Sequence, residues 1–254
     1  MLIDTHCHLD AAEFDADRDA VHAAAQAAGV GRIVIPAVAA SGFAQTRKVA
    51  AQYAACHAAY GIHPLYVMQS APADLLALRE CLEQWPAVAV GEIGLDFYVA
   101  DIDPQRQHDF FVAQLKLARE FDLPVLLHVR RSVDAVLKEL RRFRVRGGIA
   151  HAFNGSRQQA EVFIALGFKL GFGGAMTYSG STRIRQLASE LPLESIVLEI
   201  DAPDIPPAWL NRGRNTPAEL LRIAQTLADL RRISLAEVCV ATTANAVEAL
   251  PACC

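Results

Sequence analysis

His6 and His8 stand two apart in the segment IDTHCHLD, residues 3–10, with Asp4 two positions ahead of them. In an extended chain alternate residues share a face. Burying such a face is costly unless each polar group finds a partner. Imidazoles and carboxylates gathered this way suit a metal ion, and His63, Glu92, His128, His151 and Asp201 each fall at or just after the end of a short apolar run. A single histidine in that position is most often a hydrogen-bonded structural residue. Glu92 or Asp201 alone could cap a following helix. Four histidines and two carboxylates delivered by five such runs point instead to a shared metal site at His6, His8, Glu92, His128, His151 and Asp201.

The elements that must position these groups are legible as an alternation. Runs rich in Val, Ile and Leu predict strands at 2–8, 32–37, 57–62, 87–92, 124–128, 147–151, 168–171 and 195–200. Most are almost continuously apolar, as strands covered on both faces should be. Between them lie helical faces such as Leu75, Leu78, Leu82 and Trp85; Val133, Val136, Leu137 and Leu140; and Ile184, Leu187, Ala188 and Leu191. Asp103 before Pro104 reads as an N-cap, and Ser156 with Gln159, Thr216 with Glu219 and Ser234 with Glu237 read as capping boxes. Eight βα units in 254 residues, with no linker or low-complexity tract, predict one α/β domain spanning 1–254. The expected architecture is a (β/α)8 TIM barrel, with a closing C-terminal helix after Ser234 packed on its exterior. In that fold the C-terminal ends of the strands converge on the active site.

Six ligand groups exceed the three that one catalytic zinc-like ion takes from protein. Two divalent ions fit better, with Glu92 bridging them at about 3.5–4 Å. His6, His8 and Asp201 would hold one ion, and His128 and His151 the other. Imidazoles favour Zn, Mn or a similar ion, while Mg stays open.

Net charge is −4, from 24 Lys and Arg against 28 Asp and Glu, so no global basic field would gather nucleic acid. A polyanionic substrate needs a local basic mouth. Arg130 and Arg131 follow the fifth strand, and Arg212 and Arg214 follow the eighth, where a guanidinium suits phosphate. Arg141, Arg142, Arg144 and Arg146 precede the sixth strand and read as a solvated face at the opposite end. Phe97, Tyr98, Phe153 and Trp209 could stack bases. No apolar run approaches the roughly 18 residues of a membrane helix, and six cysteines stand without a disulfide framework. A cytoplasmic protein is expected, with no membrane partner, and the Cys253 and Cys254 end is expected to be frayed.

With HxH at 6–8, Gly61-Ile62-His63-Pro64, GEIGLD at 91–96, LHVR at 127–130, HAF at 151–153, EIDAPD at 199–204 and Arg212-Gly213-Arg214-Asn215-Thr216-Pro217 in this order, the chain resembles the TatD-type metal-dependent deoxyribonucleases. That family is a branch of the amidohydrolase-like barrels. The resemblance covers nearly the whole length. It implies two divalent cations on the same six residues, and a 3′→5′ exonuclease or a hydrolase of undetermined substrate. The chain has Glu199-Ile200-Asp201 where the family commonly has Glu-Thr-Asp, and Asn245-Ala246-Val247 lacks the usual closing phenylalanine. No lysine lies between Lys48 and Lys116, so the bridging role of a carboxylated lysine in related amidohydrolases falls to Glu92.

The expected chemistry is hydrolysis by a hydroxide shared between two ions, since metals lower the pKa of bound water toward neutrality. Glu92 and Asp201 are the candidate catalytic residues, with Asp201 orienting or deprotonating the water. His63, Arg130 and Arg214 are the candidate substrate-binding residues. DNA or another phosphodiester is the expected substrate, and a monomer the expected state. An amide or ester hydrolase, including a deacylase of aminoacylated nucleic acid, uses the same hydroxide. A metal-binding protein without catalysis is the third reading.

Overall fold

The structure is a computed structural model that describes residues 1–253. Eight strands follow one another: β1 Leu2–Asp4, β2 Val30–Pro36, β3 Cys56–Ala59, β4 Val90–Asp96, β5 Val125–Arg130, β6 Gly148–Ala150, β7 Phe168–Phe172 and β8 Ile196–Leu198. Helices α1 Arg18–Ala27, α2 Phe43–Gln52, α3 Pro72–Gln84, α4 Pro104–Glu120, α5 Val133–Phe143, α6 Arg157–Ala165 and α7 Thr182–Glu190 separate them, and α8 Leu220–Arg231 and α9 Leu235–Ala249 follow. Every ladder is parallel, in the orders β1-β2-β3 and β4-β5-β6-β7-β8. The fold is the α/β, (β/α)8 arrangement. Its two sheets are stitched at both edges by isolated bonds rather than ladders. At one edge Tyr60 bridges Val90 and the Gly91 amide donates to the Tyr60 carbonyl. At the other, the amide and hydroxyl of Thr5 both donate to the Leu198 carbonyl, and the Asp201 amide donates to the His6 carbonyl.

Apolar residues sit on both faces of these strands, as parallel sheets require. The outer faces meet the helices in a core that includes Phe111, Leu115, Val136, Leu140, Phe163 and Leu227. A second cluster gathers Ile3, Val34, Ala59, Ala89, Leu126, Ile149 and Val197 from successive strands and the residue just before β4. Ala246, Ala249, Leu250 and Cys253 pack on that cluster. So α9 does not lie along the outer wall. Thr243 donates to the Met1 carbonyl, and Asn245 donates to the carbonyls of Leu193 and Ile196, which seats α9 across the end where the strands begin. Cys253 is fully buried there, so the chain is anchored up to that residue instead of fraying. Cys254 lies outside the described residues.

β1, β3, β6 and β8 are shorter than expected, β1 ending at Asp4 instead of residue 8, while β2, β5 and β7 are each one residue longer and β4 is displaced. The apolar run 87–92 marks its start, but the ladder continues to Asp96 because Ile93 and Leu95 bury on one side while Glu92 and Asp96 bury on the other. Gly94, at φ +152, lets this strand approach β5: a Cβ there would lie 1.9 Å from the His128 carbonyl oxygen. Ser156 with Gln159 and Ser234 with Glu237 form reciprocal capping boxes, and Asp103 accepts from the Gln105 amide. Thr216 makes no side-chain cap. The Glu219 carboxylate that was to complete that box accepts the Trp209 indole N–H at 2.6 Å instead. Among the described residues no helix is long and apolar enough to cross a membrane.

Candidate metal centre

Glu92, buried on β4, is the hub of the site. Its Oε2 lies 3.2 Å from His6 Nε2 and 3.8 Å from His8 Nε2. Its Oε1 lies 2.9 Å from His128 Nδ1, 3.5 Å from His63 Nε2 and 4.0 Å from His151 Nε2. Asp201 closes the other side, with Oδ1 3.7 Å from His6 Nε2 and 3.6 Å from His8 Nε2, and Oδ2 3.8 Å from His151 Nε2. All six expected ligands therefore meet, and His63 joins them. Three ligand groupings arise: His6, His8 and Asp201; His6, Glu92 and His151; His63, Glu92 and His128. The first is the grouping read from the sequence. His128 and His151 do not form the second set together; each shares Glu92 with a different partner.

Hydrogen bonds to the outer ring nitrogens decide which nitrogen can face a cation, because a neutral imidazole carries one donor and one acceptor. His8 Nδ1 lies 3.1 Å from the Pro36 carbonyl, which can only accept, so Nε2 keeps the lone pair. His128 stands between two carboxylates, with Nε2 2.9 Å from Asp96 Oδ2 and Nδ1 2.9 Å from Glu92 Oε1, so both nitrogens donate here and Nδ1 could turn a lone pair to a cation only by giving up its proton. His151 Nδ1 faces Glu199 Oε1 at 3.2 Å, an ion-pair distance without hydrogen-bond geometry, and its Nε2 points inward. Pairing of a ligand histidine with an outer acceptor is the usual way such rings are fixed. His63 is the reverse. Its Nδ1 accepts from the Leu65 amide, so its Nε2 bears the proton and points a donor toward Glu92.

His6 is fully buried, and neither of its ring nitrogens has a hydrogen-bond partner. A buried imidazole left that way is costly, and a divalent cation among His6, His8, Glu92 and Asp201 would satisfy Nε2, the nitrogen that faces both carboxylates. The residues present thus fit metal. Charge argues likewise. Burial would raise the Glu92 carboxyl, but the surrounding histidines, His63 foremost, hold it well below the usual carboxylate range. Burial opposes charge on His151, yet Glu199 and Asp201 outweigh it and lift the ring to about 10. Positive charge, a proton or a cation, is demanded among these acids.

Asp96 and Glu199 went unassigned in the sequence, although GEIGLD and EIDAPD contain them. The signal that points to them is the tendency of such rings to hold an outer acceptor, which His8, His128 and His151 follow and His6 does not. Asp4, which opens the same motif as His6, is no ligand. Its Oδ1 accepts from the amides of His6 and Ile200 at 3.2 and 3.0 Å, tying the first motif to the last strand, and burial pushes its carboxyl well above the usual range. Just past the strand ends, Arg131, Ala152 and Asp201 adopt left-handed φ of +55°, +44° and +57°. Left-handed residues also end helices elsewhere in this chain, as at Arg144 and Arg232, but these three gather at the site itself.

Above the centre opens a cavity of about 1160 Å³. Arg130 and Arg131 line it, each stacked on the Tyr98 ring at 3.8 and 4.6 Å. The structure does not bring Arg214 there: its guanidinium pairs with Asp17 at 2.5 Å and covers Phe14. Phe153 is buried against Phe163, and Trp209 packs under Arg222. Of the four aromatics considered for base stacking, only Tyr98 faces the cavity.

The family model described as TatD-related DNase matches residues 3–251. The chain belongs to the TatD-related DNase family. Its relatives include the metal-dependent hydrolase YjjV of Escherichia coli, 42% identical over 247 residues, covering 96% of this chain and 95% of that protein. The crystal structure of Escherichia coli YjjV superposes with a TM-score of 0.95 at 40% identity, covering 98% of each chain. The 3′-5′ ssDNA/RNA exonuclease TatD of Escherichia coli is 32% identical over 251 residues, covering 96% of each. As a TatD-family chain this is a metal-dependent hydrolase, and its histidine and carboxylate cluster supplies candidate ligands.

Proposed function

We propose that this chain is a cytoplasmic, monomeric, single-domain phosphodiesterase that hydrolyses DNA with two divalent ions, of the Mg, Mn or Zn class, held by His6, His8, Glu92, His128, His151 and Asp201. The observation that carries the reading is the stack of Arg130 on Tyr98, beside a cavity whose floor is the Glu92 cluster. A guanidinium so placed can grip a phosphate whose ester bond lies over the floor. The relative named a 3′-5′ exonuclease for single-stranded DNA and RNA supports stepwise attack on a strand end.

Divalent ions bound here would lower the pKa of water and offset the charge that develops on phosphate. The chain's own groups do the rest. Glu92 sits within 4.0 Å of five imidazoles, so it bridges both halves of the site. Asp201, with one carboxylate oxygen on each side, orients the attacking water and accepts its proton. His63 presents Nε2–H inward and can donate to the departing ester oxygen. Arg130 holds the phosphate, and Arg214 is left to bracing the loop after β1.

The test is hydrolysis of a single-stranded oligonucleotide, bis(4-nitrophenyl) phosphate and an N-acyl amide side by side, with Glu92→Ala as control. Metal-dependent cleavage of the first two, absent in the variant, is expected. Cleavage of the amide alone would move the protein to the amidohydrolase reading.

A further inference from the structure

Three arginines line one side of the cavity, and only one of them is needed at the scissile phosphate. Arg130 ends β5. Successive strand residues point to opposite faces, but the left-handed φ of +55° at Arg131 breaks that alternation, and both guanidinium groups reach the Tyr98 ring. Arg183, near the start of α7, also lines the cavity, and its only hydrogen bonds among those described go to Asn154 Oδ1, at 3.2 and 2.8 Å. Among the described residues neither Arg131 nor Arg183 has a carboxylate within 4.0 Å, unlike Arg79, Arg157 and Arg214, which pair with acids elsewhere on the surface. Asn154 holds one edge of the Arg183 guanidinium and leaves donors on the other. The loops after β5, β6 and β7 are neighbours in the sheet, so Arg131, Asn154 and Arg183 follow one another along one wall.

The facing wall has the opposite charge. Asp10 and Glu13 from the loop after β1, and Asp204 from the loop after β8, line the cavity there. A polyanion crossing the whole mouth would meet repulsion on that side.

We propose that Arg131 and Arg183, with Asn154, form a second phosphate subsite, separate from the metal centre, that grips the phosphodiester next to the one being cut. The strand then enters from the β5–β7 wall, and only its terminal nucleotide sits toward the acidic wall. This inference rests on the phosphodiesterase reading. It adds that the preferred substrate carries at least two consecutive phosphates, as the end of a single strand does.

The experiment compares kcat/KM for a single-stranded DNA tetranucleotide with that for bis(4-nitrophenyl) phosphate, which has one phosphate, in metal-loaded protein. The ratio of the two should fall tenfold or more in Arg183→Ala and in Arg131→Ala, since each loses a charge-assisted contact. Arg183→Lys should recover part of it, because the point charge remains while the fork is lost. Arg142→Ala, on the outer face of α5 beside Glu139, should leave the ratio unchanged. Thermal melting of each variant checks that these exposed substitutions leave the fold intact. A ratio within twofold of the native value in both alanine variants overturns the proposal. Should the native protein cleave neither ester, the phosphodiesterase reading fails, and calorimetric binding of inorganic pyrophosphate to the purified protein decides the subsite. Binding that Arg183→Ala abolishes upholds it; no binding, or equal binding, overturns it.

Discussion

Glu92 and Asp96 are four residues apart on one strand and do different work. Glu92 faces inward and touches five histidines; Asp96 stands behind His128 and also accepts from the amides of Tyr98 and Val99 at 2.8 and 3.2 Å. One carboxylate therefore fixes both a ligand ring and the loop that carries the cavity's tyrosine. Loss of such an outer partner typically lowers metal affinity or activity 10- to 100-fold, so Asp96→Asn should fall in that range. Metal titration beside turnover is the check, and a variant with native affinity and rate would remove Asp96 from the site. At this scale the six residues that gather around Glu92 and Asp201 were legible because histidine and acid types stood out from apolar runs. The outer acceptors were not, because an aspartate in GEIGLD looks the same whether it caps a loop or orients a ring. Arg214 misled for a related reason: its position after β8 was readable, but its pairing with Asp17, on the turn into α1, was not.

Strands and helices show where local signals suffice and where contacts decide. Ser234 and Glu237 formed the box that their spacing predicts, and Ser234→Ala should destabilise the protein by about 1 kcal/mol, as cap removal does, measured by the shift in denaturant midpoint. Thr216 and Glu219 have the same spacing, yet Trp209 captured the glutamate, a tertiary competitor that no window of four residues reveals. The start of β4 was visible as AVAV; its continuation to Asp96 depends on buried acids that look polar in isolation. Gly171 in β7 illustrates the same coupling. A Cβ there would lie 2.1 Å from Glu199 Oε2, so Gly171→Ala should push Glu199 off the His151 ring. The expected result is a 10- to 100-fold weaker metal site with the strand still formed, which circular dichroism and metal titration would separate. Unchanged metal binding would show that Glu199 does not orient His151.

For the molecule as a whole, the alternation of eight strands and helices made the (β/α)8 order readable, while the placement of α9 required the structure. Its apolar positions suit either the outer wall or the strand-start end, and only the bonds from Thr243 and Asn245 select the latter. The two ends of the strands then have separate tasks: α9 seals one, and the other carries the histidine and carboxylate cluster. A metal that binds only the folded state should stabilise it by about 2.7 kcal/mol at one hundred times its dissociation constant, seen as a melting temperature several degrees higher, and much less in Glu92→Ala.

The most direct test of the account is to strip the purified protein of metal and restore Mg, Mn or Zn in turn. Release of nucleotides from a single-stranded DNA oligonucleotide is then followed for the native chain and for Glu92→Ala. The account predicts no release from the stripped protein, release on restoring a divalent ion, and none from the variant under any condition. Turnover by stripped protein, or by Glu92→Ala, would contradict a metal centre built around Glu92.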